Sequence, residues 1–453
     1  MPKTNVLFQS YPNFSNNAKV LYEYMNKHYK NKMNLYWVID NTEDYNRLKD
    51  RLNCVLNDSE ELAELMPKID IIFTTHGQLT ERKLSNQIYI NLWHGLGMKK
   101  LGYMLETSKL APQDVDYFNR LRRTVDYMIV PSEFWRPIFA SKFRIAYDRV
   151  LPIGYPKLDM ITSPNTRKKL EKILKINLDN YKKKILYVPT FRKGIGRADA
   201  KINTSNIFSF SKYDENKVIK FLEKNNYLLC IKRHPSETST FSAANSENIK
   251  VIENKDLKKL NLAPEEILNN FDLIISDYSS MGIEFQILNR PVLFITEDYE
   301  EYEKNRGIIY GLNFWTGENQ IKSIDELLKK IGKFDDIKCD PNFRKLLFEE
   351  LYSDNCKRVC EYLFSKDGNL KETITPNDDE IINKALHYDE AIAELNSIYN
   401  SKGWNYLEKL RKIKNKFKKW IWKDKEDEKA SSWNWHIKRN WCLTSYNWTF
   451  MWL

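Results

Sequence analysis

The sequence predicts an α/β protein in which two successive series of parallel strands carry amphipathic helices on both faces. Three observations point there. Short apolar, β-branched or aromatic runs recur between segments of helical periodicity, and continuous apolar strands of that kind belong to parallel sheets covered on both sides. The alternation lapses around residues 156–184, where lysines cluster at Lys168-Lys169 and 182–184, and then resumes. Finally, the concentrations of His, Arg and hydroxyl residues fall directly after strands, at the carboxyl rim where open α/β sheets bind ligands.

The first series has strands at 5–9, 35–39, 69–74, 88–92 and 127–130, with helical patterns at 18–29, 59–66 and 134–143. The second has strands at 185–188, 228–231, 273–275 and 292–295, with helices at 215–225 and 281–288. A polar stretch at 366–379 closes it, and no internal sequence repeat is visible. The expected divisions are 1–160 and 161–365 for the two α/β domains, 366–400 for a linker and helix, and 401–453 for a tail.

Length and composition agree with this division. Single cores stop growing near ~250–300 residues, so 453 residues imply more than one domain. With 42% hydrophobic and 29% charged residues but only 14 Gly and 15 Pro, collagen-like, low-complexity and wholly disordered chains are excluded. The net charge of +11 favours an anionic partner. Most of it is local: residues 401–453 hold 13 Lys/Arg against 5 Asp/Glu and eight of the twelve Trp. The six Cys include no C-x-x-C pair, so neither a disulfide framework nor a zinc ribbon is indicated. Cys356 and Cys360, four apart, read as packing residues on a helix. No secretion signal and no ~20-residue apolar span is present, so a cytoplasmic protein is expected.

The rim residues have definable chemistry. Asp277-Tyr278-Ser279-Ser280 precedes a helical run; it can bind an anion through hydroxyls and backbone N–H groups, or simply cap the helix. Arg192, Lys193 and Arg197 lie in a Gly-containing loop after a strand, able to neutralise a diphosphate or to stay solvated. His94 and His234 each follow a buried strand, one in each half of the chain. Either can accept a hydroxyl proton near neutral pH or, when charged, hold a phosphate. Paired carboxylates for glycoside hydrolysis, a Walker loop and a G-x-G-x-x-G fingerprint are all missing.

These motifs occur in a recognisable order: Phe8-Gln9-Ser10 and 17–25, Trp93-His94-Gly95 with Lys99-Lys100-Leu101-Gly102, Gly154-Tyr155-Pro156 with Asp159, Pro189-Thr190-Phe191-Arg192, His234-Pro235, Ser276 to Ser280, and Tyr302 with Arg306-Gly307. Over about residues 1–365 the chain resembles the CDP-glycerol glycerophosphotransferase family, the teichoic-acid primases and polymerases and related capsule polymerases. The resemblance implies a GT-B fold, two Rossmann-like domains facing a cleft. It also implies transfer of glycerol phosphate or ribitol phosphate from CDP-glycerol or CDP-ribitol to a hydroxyl of a polyprenyl-diphosphate-linked acceptor, releasing CMP. By the same resemblance His94 is the candidate general base and His234 the histidine that stabilises charge on the donor phosphates. Arg192, Asp277, Ser279, Ser280 and Arg306 are the donor or pyrophosphate residues, with Trp93, Gly95 and Lys99 on the acceptor side or supporting the loop. In place of the family's Thr-Pro after W-H-G stand Leu96-Gly97, expected to remove a hydroxyl beside the base and to loosen the loop. Asn313-Phe314-Trp315-Thr316-Gly317 likewise replaces a Pro-Gly-Pro-like stretch.

No metal-ligand set is assigned. Mg²⁺ is left open as a cofactor, because donor phosphates could supply most of its ligands. On a helical wheel, residues 404–423 place Leu407, Leu410, Ile413, Phe417, Trp420 and Ile421 on one arc flanked by lysines. That pattern is expected of a peripheral contact with an anionic membrane surface at the inner face of the cell membrane. The segment 431–453 has no clear period. Two other classes remain in view: a GT-B glycosyltransferase using a nucleotide sugar, which a donor screen separates, and a non-enzymatic anion- or nucleic-acid-binding protein. No nucleic acid is expected, since Trp stacking platforms normally sit on folded sheets.

Overall fold

A computed structural model describes residues 3–105, 110, 112–163, 166–190, 207–232, 246–350, 352–376 and 403. The chain divides into units Met1–Leu386 and His387–Leu453, and the described residues lie almost wholly in the first. Arg192, Lys193, Arg197, His234 and the segments 404–423 and 431–453, singled out from the sequence, lie outside the described residues.

Thirteen strands form two sheets among the described residues. The first contains β1 (Thr4–Gln9), β2 (Met33–Ile39), β3 (Cys54–Leu56), β4 (Ile71–Thr74), β5 (Ile88–Asn91), β6 (Tyr127–Ile129) and β7 (Val150–Leu151) in the order β3-β2-β1-β4-β5-β6-β7. The second contains β8 (Lys183–Val188), β9 (Tyr227–Lys232), β10 (Ile249–Ile252), β11 (Leu273–Ser276), β12 (Val292–Ile295) and β13 (Gln320–Ile321) in the order β10-β9-β8-β11-β12-β13. Every pairing is parallel. Both are doubly wound sheets that reverse direction beside their first strand, at β1/β4 and β8/β11. Together they make the GT-B pair of Rossmann-like lobes, although the sequence shows no repeat.

Side-chain alternation along the strands builds the core. Val6 and Phe8 of β1 enter one apolar cluster and Leu7 enters another. In β8, Ile185 and Tyr187 point to one face while Leu186 and Val188 point to the other. The cluster holding Leu7, Leu186 and Val188 contains residues of both lobes, whereas the other two each cover one sheet's remaining face. The nine expected strands are all present, with ends displaced by a residue or two. The four not foreseen, β3, β7, β10 and β13, are the edges of the sheets and span two to four residues each. The stretch around 156–184, expected to be aperiodic, contains the helices Lys157–Thr162 and Arg167–Leu174.

The helix Asn355–Leu363, at the end of the stretch 161–365 expected to form the second domain, packs on the first sheet. Cys356, Val359, Cys360 and Leu363 are buried in its apolar cluster, which agrees with the packing role read for the two cysteines. The Gly154-Tyr155-Pro156 motif with Asp159 docks this helix. Gly154 has φ +113°, and a Cβ there would come within 3.1–3.2 Å of Asn355. Asn355 Oδ1 accepts the Tyr155 N–H at 2.9 Å. The Asp159 carboxylate accepts from Asn355 N at 2.9 Å, Asn355 Nδ2 at 2.8 Å and Cys356 N at 2.8 Å, satisfying donors of the helix's first turn. Asp159→Ala removes the acceptor shared by these donors and is expected to lower stability by about 2–4 kcal/mol, read as a lower urea midpoint with Asp159→Asn intermediate.

Candidate functional site

The loop after β5 carries Trp93-His94-Gly95. Trp93 adopts a left-handed backbone, φ +51°, a conformation that costs a bulky residue energy and persists where the surroundings impose it. Asn91 Oδ1 accepts the Trp93 N–H at 2.8 Å, while Asn17 Nδ2 donates to the carbonyls of Leu92 and Trp93, each at 3.0 Å. His94 is half-buried beneath Trp93, their rings 4.1 Å apart. Its Nδ1 lies 3.2 Å from the Thr75 carbonyl. A carbonyl only accepts, so that bond places the proton on Nδ1 and leaves Nε2 as the basic nitrogen. Burial, then His76, holds His94 well below the ordinary imidazole value, with Lys157 and Lys142 acting in the same direction and the Thr75 carbonyl opposing them. The ring is therefore neutral near pH 7, the form a general base requires.

Gly95 brings this loop onto the second lobe. A Cβ at Gly95 would stand 2.7 Å from Ser280 Oγ and 3.1 Å from its Cβ, so a larger residue there would require the serine to shift. Immediately after it, the buried Leu96 donates its N–H to Glu284 Oε1 at 2.9 Å. Gly97 O accepts from Lys142 Nζ at 3.0 Å, and Met98 O accepts from Ile309 N at 2.8 Å. Lys100 N donates to Gly307 O at 3.0 Å, beside a short antiparallel bridge between Lys99 and Ile308. The expected loosening by Leu96-Gly97 is thus corrected: Leu96 packs in the core shared by the lobes, and hydrogen bonds from three directions pin the loop.

Beneath it lies a buried charge cluster. Lys157 Nζ is 2.9 Å from Glu284 Oε2 and 3.3 Å from Glu265 Oε1, and it donates to the His94 carbonyl at 2.8 Å. The Lys157 N–H donates to Asn17 Oδ1 at 2.8 Å. Burial drives the Glu284 carboxyl up to about 7 despite the opposing pull of Lys157. Lys157 stays charged, its desolvation outweighed by the two carboxylates.

A cleft of about 410 Å³ opens above these groups. His94, Lys99, Lys100 and Lys142 line it from the first lobe; Thr190, Lys232, Ser279, Ser280 and Arg306 line it from the second. Among the described residues its wall includes five cationic side chains and no carboxylate. Ser279 caps the helix Ser280–Phe285, its Oγ accepting from Met281 N at 3.4 Å. That helix is too short for its dipole to hold an anion alone, so hydroxyls and ammonium groups dominate the field. Arg306 ends the helix Tyr299–Asn305, which Tyr302 anchors by stacking on Tyr278 at 3.8 Å. Burial lowers Lys142 to about 7, with Lys99 adding to the effect, and burial lowers Lys232 to about 8.

The structure thus gathers Trp93, His94, Gly95, Lys99, Ser279, Ser280 and Arg306 at one cleft. Asp277 sits lower. It is buried, and its carboxylate accepts the Thr190 N–H at 2.9 and 3.1 Å and also the Thr190 hydroxyl, orienting the loop after β8. Lys142, Lys157, Lys232, Glu265 and Glu284 were not singled out from sequence. Two offered a signal: Lys157, within the Gly154 to Asp159 motif, and Lys232, directly after the strand at 228–231 and before the His234-Pro235 motif. The replacement stretch 313–317 borders a separate cavity of about 910 Å³ that shares no lining residue with the cleft. No group of three or more His, Cys, Asp or Glu able to hold a metal ion occurs among the described residues.

The model of the family described as CDP-Glycerol:Poly(glycerophosphate) glycerophosphotransferase matches residues 1–364. The chain belongs to this family. It is 29% identical over 318 residues to a teichoic acid poly(glycerol phosphate) polymerase of Staphylococcus epidermidis, covering 67% of this chain and 41% of that one. It is 29% identical over 283 residues to the teichoic acid ribitol-phosphate polymerase TarL of Staphylococcus aureus, covering 61% and 48%. With a teichoic acid glycerol-phosphate primase of Bacillus subtilis it shares 32% identity over 243 residues, covering 53% and 58%. The chain therefore spans about half the length of these relatives. In fold it is similar to the wall teichoic acid polymerase TagF, with a TM-score of 0.62 at 22% identity, covering 86% of this chain and 90% of that one. A TagF histidine-to-asparagine variant soaked with CDPG gives a TM-score of 0.63 at 23% identity, with the same coverage.

Lys157→Met removes the cation from two buried carboxylates and is expected to cost about 3–5 kcal/mol at pH 8. The Glu284 value in the folded state already lies above its unfolded value, so the native state binds the extra proton and stability falls as pH rises between the two. Without Lys157 that window extends above 7, and the loss should be smaller at pH 5.5 than at pH 8 in paired urea titrations.

Proposed function

We propose that this chain transfers an alditol phosphate, glycerol phosphate or ribitol phosphate, from its CDP-activated form to a hydroxyl of a lipid-linked acceptor, as a step in teichoic-acid or capsule-like polymer synthesis. The observation that carries the reading is the cleft itself: a neutral histidine faces hydroxyls and five basic side chains, with no carboxylate among the described lining residues to repel an anion. Family membership and relatives named for both glycerol-phosphate and ribitol-phosphate polymers support it and keep both alditols in view. In the proposed reaction His94 Nε2 takes the acceptor's hydroxyl proton as the oxygen attacks the alditol-bearing phosphorus. The bond from that phosphorus to the bridging oxygen breaks, and CMP leaves with the electron pair. Ser279, Ser280, Arg306, Lys142 and Lys232 would hold the diphosphate, joined by Arg192 and His234 on the strength of their motifs. Positioning and charge neutralisation suffice for this chemistry.

The acceptor and its setting belong to the same proposal. The basic, tryptophan-bordered pattern at 404–423 suits an anionic surface at the cytoplasmic face of the membrane, where a polyprenyl-diphosphate-linked acceptor would be met. Among the described residues no helix is long and apolar enough to cross a membrane.

The direct test supplies CDP-glycerol, CDP-ribitol and a nucleotide sugar in parallel with a lipid-linked acceptor and measures the nucleotide released. CMP is expected from a CDP-alditol, and His94→Ala should lower turnover by about 10²–10⁴-fold; consumption of the sugar nucleotide instead would displace the proposal. Binding should also take up protons. Lys142 and Lys232 are only partly charged in the empty cleft at pH 7–8, and a diphosphate beside them favours the charged form. Donor affinity should therefore fall from pH 7 to pH 9, and calorimetry in buffers of different ionisation enthalpy should report net proton uptake near pH 8.

A further inference from the structure

The proposed base does not stand alone. His76, just past β4, lies face to face with His94, the ring centroids 3.7 Å apart and the planes inclined by 2°. One residue holds both rings. The Thr75 carbonyl takes the His94 Nδ1–H, and the Thr75 hydroxyl lies 2.9 Å from His76 Nδ1. That hydroxyl also accepts the Tyr11 N–H at 3.2 Å. The His76 backbone is fixed from both sides: its N–H donates to Gln78 Oε1 at 2.9 Å, and its carbonyl accepts from Tyr117 Oη at 3.0 Å. Tyr11, 64% exposed at the rim, sets its ring nearly perpendicular to the His76 ring at 5.7 Å. A row of rings thus runs from solvent through His76 to the base, and Trp93 flanks the pair, its ring 4.1 Å from His94 and 6.2 Å from His76.

The geometry points to His76 as a positioning residue for His94, a neutral aromatic face that fixes the plane of the base ring and stacks on the imidazolium formed when the acceptor's proton arrives. This rests on the reading of His94 as the general base. The proton travels from the acceptor hydroxyl to His94 Nε2 and is later lost to solvent; His76 takes none. Two imidazoles this close do not both charge readily, and burial, then Lys157, holds His76 near about 4. The face offered to His94 is therefore uncharged at working pH. A π face attracts the ring opposite it more once that ring is cationic, so its effect grows as the reaction proceeds.

The groups facing the pair come from five directions. Lys157 donates to the His94 carbonyl, and Lys142, on the helix Trp135–Phe143, also disfavours a charged base. Tyr117 comes from the helix Pro112–Thr124 and Tyr11 from the loop after β1. Glu284 is engaged with Lys157 and the Leu96 N–H. His76 opposes charge on His94 only when it is itself protonated; neutral at working pH, it presents its π face to the imidazolium against these two ammonium groups.

The test measures CMP release from CDP-glycerol and a lipid-linked acceptor between pH 5 and 9, using the full chain with His76→Ala, His76→Gln, His76→Phe or His94→Ala. His76→Gln keeps a partner for the Thr75 hydroxyl but loses the ring face; His76→Phe keeps the face but cannot titrate. The alanine and glutamine variants should lose about tenfold in kcat with donor KM within about twofold, and the acid limb of kcat/KM should move to lower pH, because the imidazolium loses the face that favours it. His76→Phe should regain most of kcat. Wild-type kcat and an unmoved acid limb in the alanine and glutamine variants would overturn the proposal. Equal losses in all three His76 variants with a raised donor KM would reduce His76 to packing. Undiminished turnover in His94→Ala would instead overturn the base assignment, whatever the His76 variants do.

Discussion

The ammonium of Lys157 is the point on which the rest of the cleft depends. It is supplied by the first lobe, its two carboxylates by the second, and its third partner is the backbone carbonyl of His94 itself. A buried cation is tolerable only when paired and hydrogen-bonded, so this cluster ties the spacing of the lobes to the position of the histidine loop. Glu284 extends the tie: one oxygen faces Lys157 and the other takes the Leu96 N–H. The same helix presents Ser280 to Gly95. Moving the lobes apart here would strand three charges, which is a physical reason for the loop to stay seated without the family's Thr-Pro.

Electrostatics then divides the site into two levels. Below the loop, charges compensate each other through Lys157, Glu265 and Glu284. Above it, Lys99, Lys100, Lys142, Lys232 and Arg306 face the cleft with no carboxylate among the described lining residues. The upper level carries its own restraint, because desolvation leaves Lys142 and Lys232 short of full charge. Such a surface becomes most positive when an anion arrives, so electrostatic work is reserved for the bound state. Burial and these positive surroundings also keep His94 unprotonated, so a basic cleft and a neutral imidazole share one small volume.

The strands that sequence revealed are those whose residues are buried on both faces, because continuous apolar runs such as Ile72-Phe73 and Leu273-Ile274-Ile275 leave a signal. The edge strands β3, β7, β10 and β13 are too short for that signal and are defined by pairing with a neighbour. The site divides similarly. Trp93-His94-Gly95 and Asp277 to Ser280 announce themselves by type and by position after a strand. Glu265 and Glu284 acquire meaning only beside Lys157, at sequence separations no local pattern encodes. Asp277 shows the converse: its place in a motif is legible, but its task of holding Thr190 emerges only from the fold.

Leu96-Gly97 carries the argument about specificity furthest. A Thr-Pro pair would add a hydroxyl and a fixed φ beside His94. Here Leu96 instead buries its side chain in the apolar cluster shared by the lobes, and Gly97 leaves its carbonyl to a lysine of the cleft wall. The loop's rigidity therefore comes from tertiary contacts rather than from its own residues. The room and polarity beside His94 consequently depend on Lys142 and on the neighbouring ring of His76. His94 is held by the Thr75 carbonyl and Gly95 packs on Ser280, so it is the flanking groups Lys142 and His76 that set the space beside the imidazole.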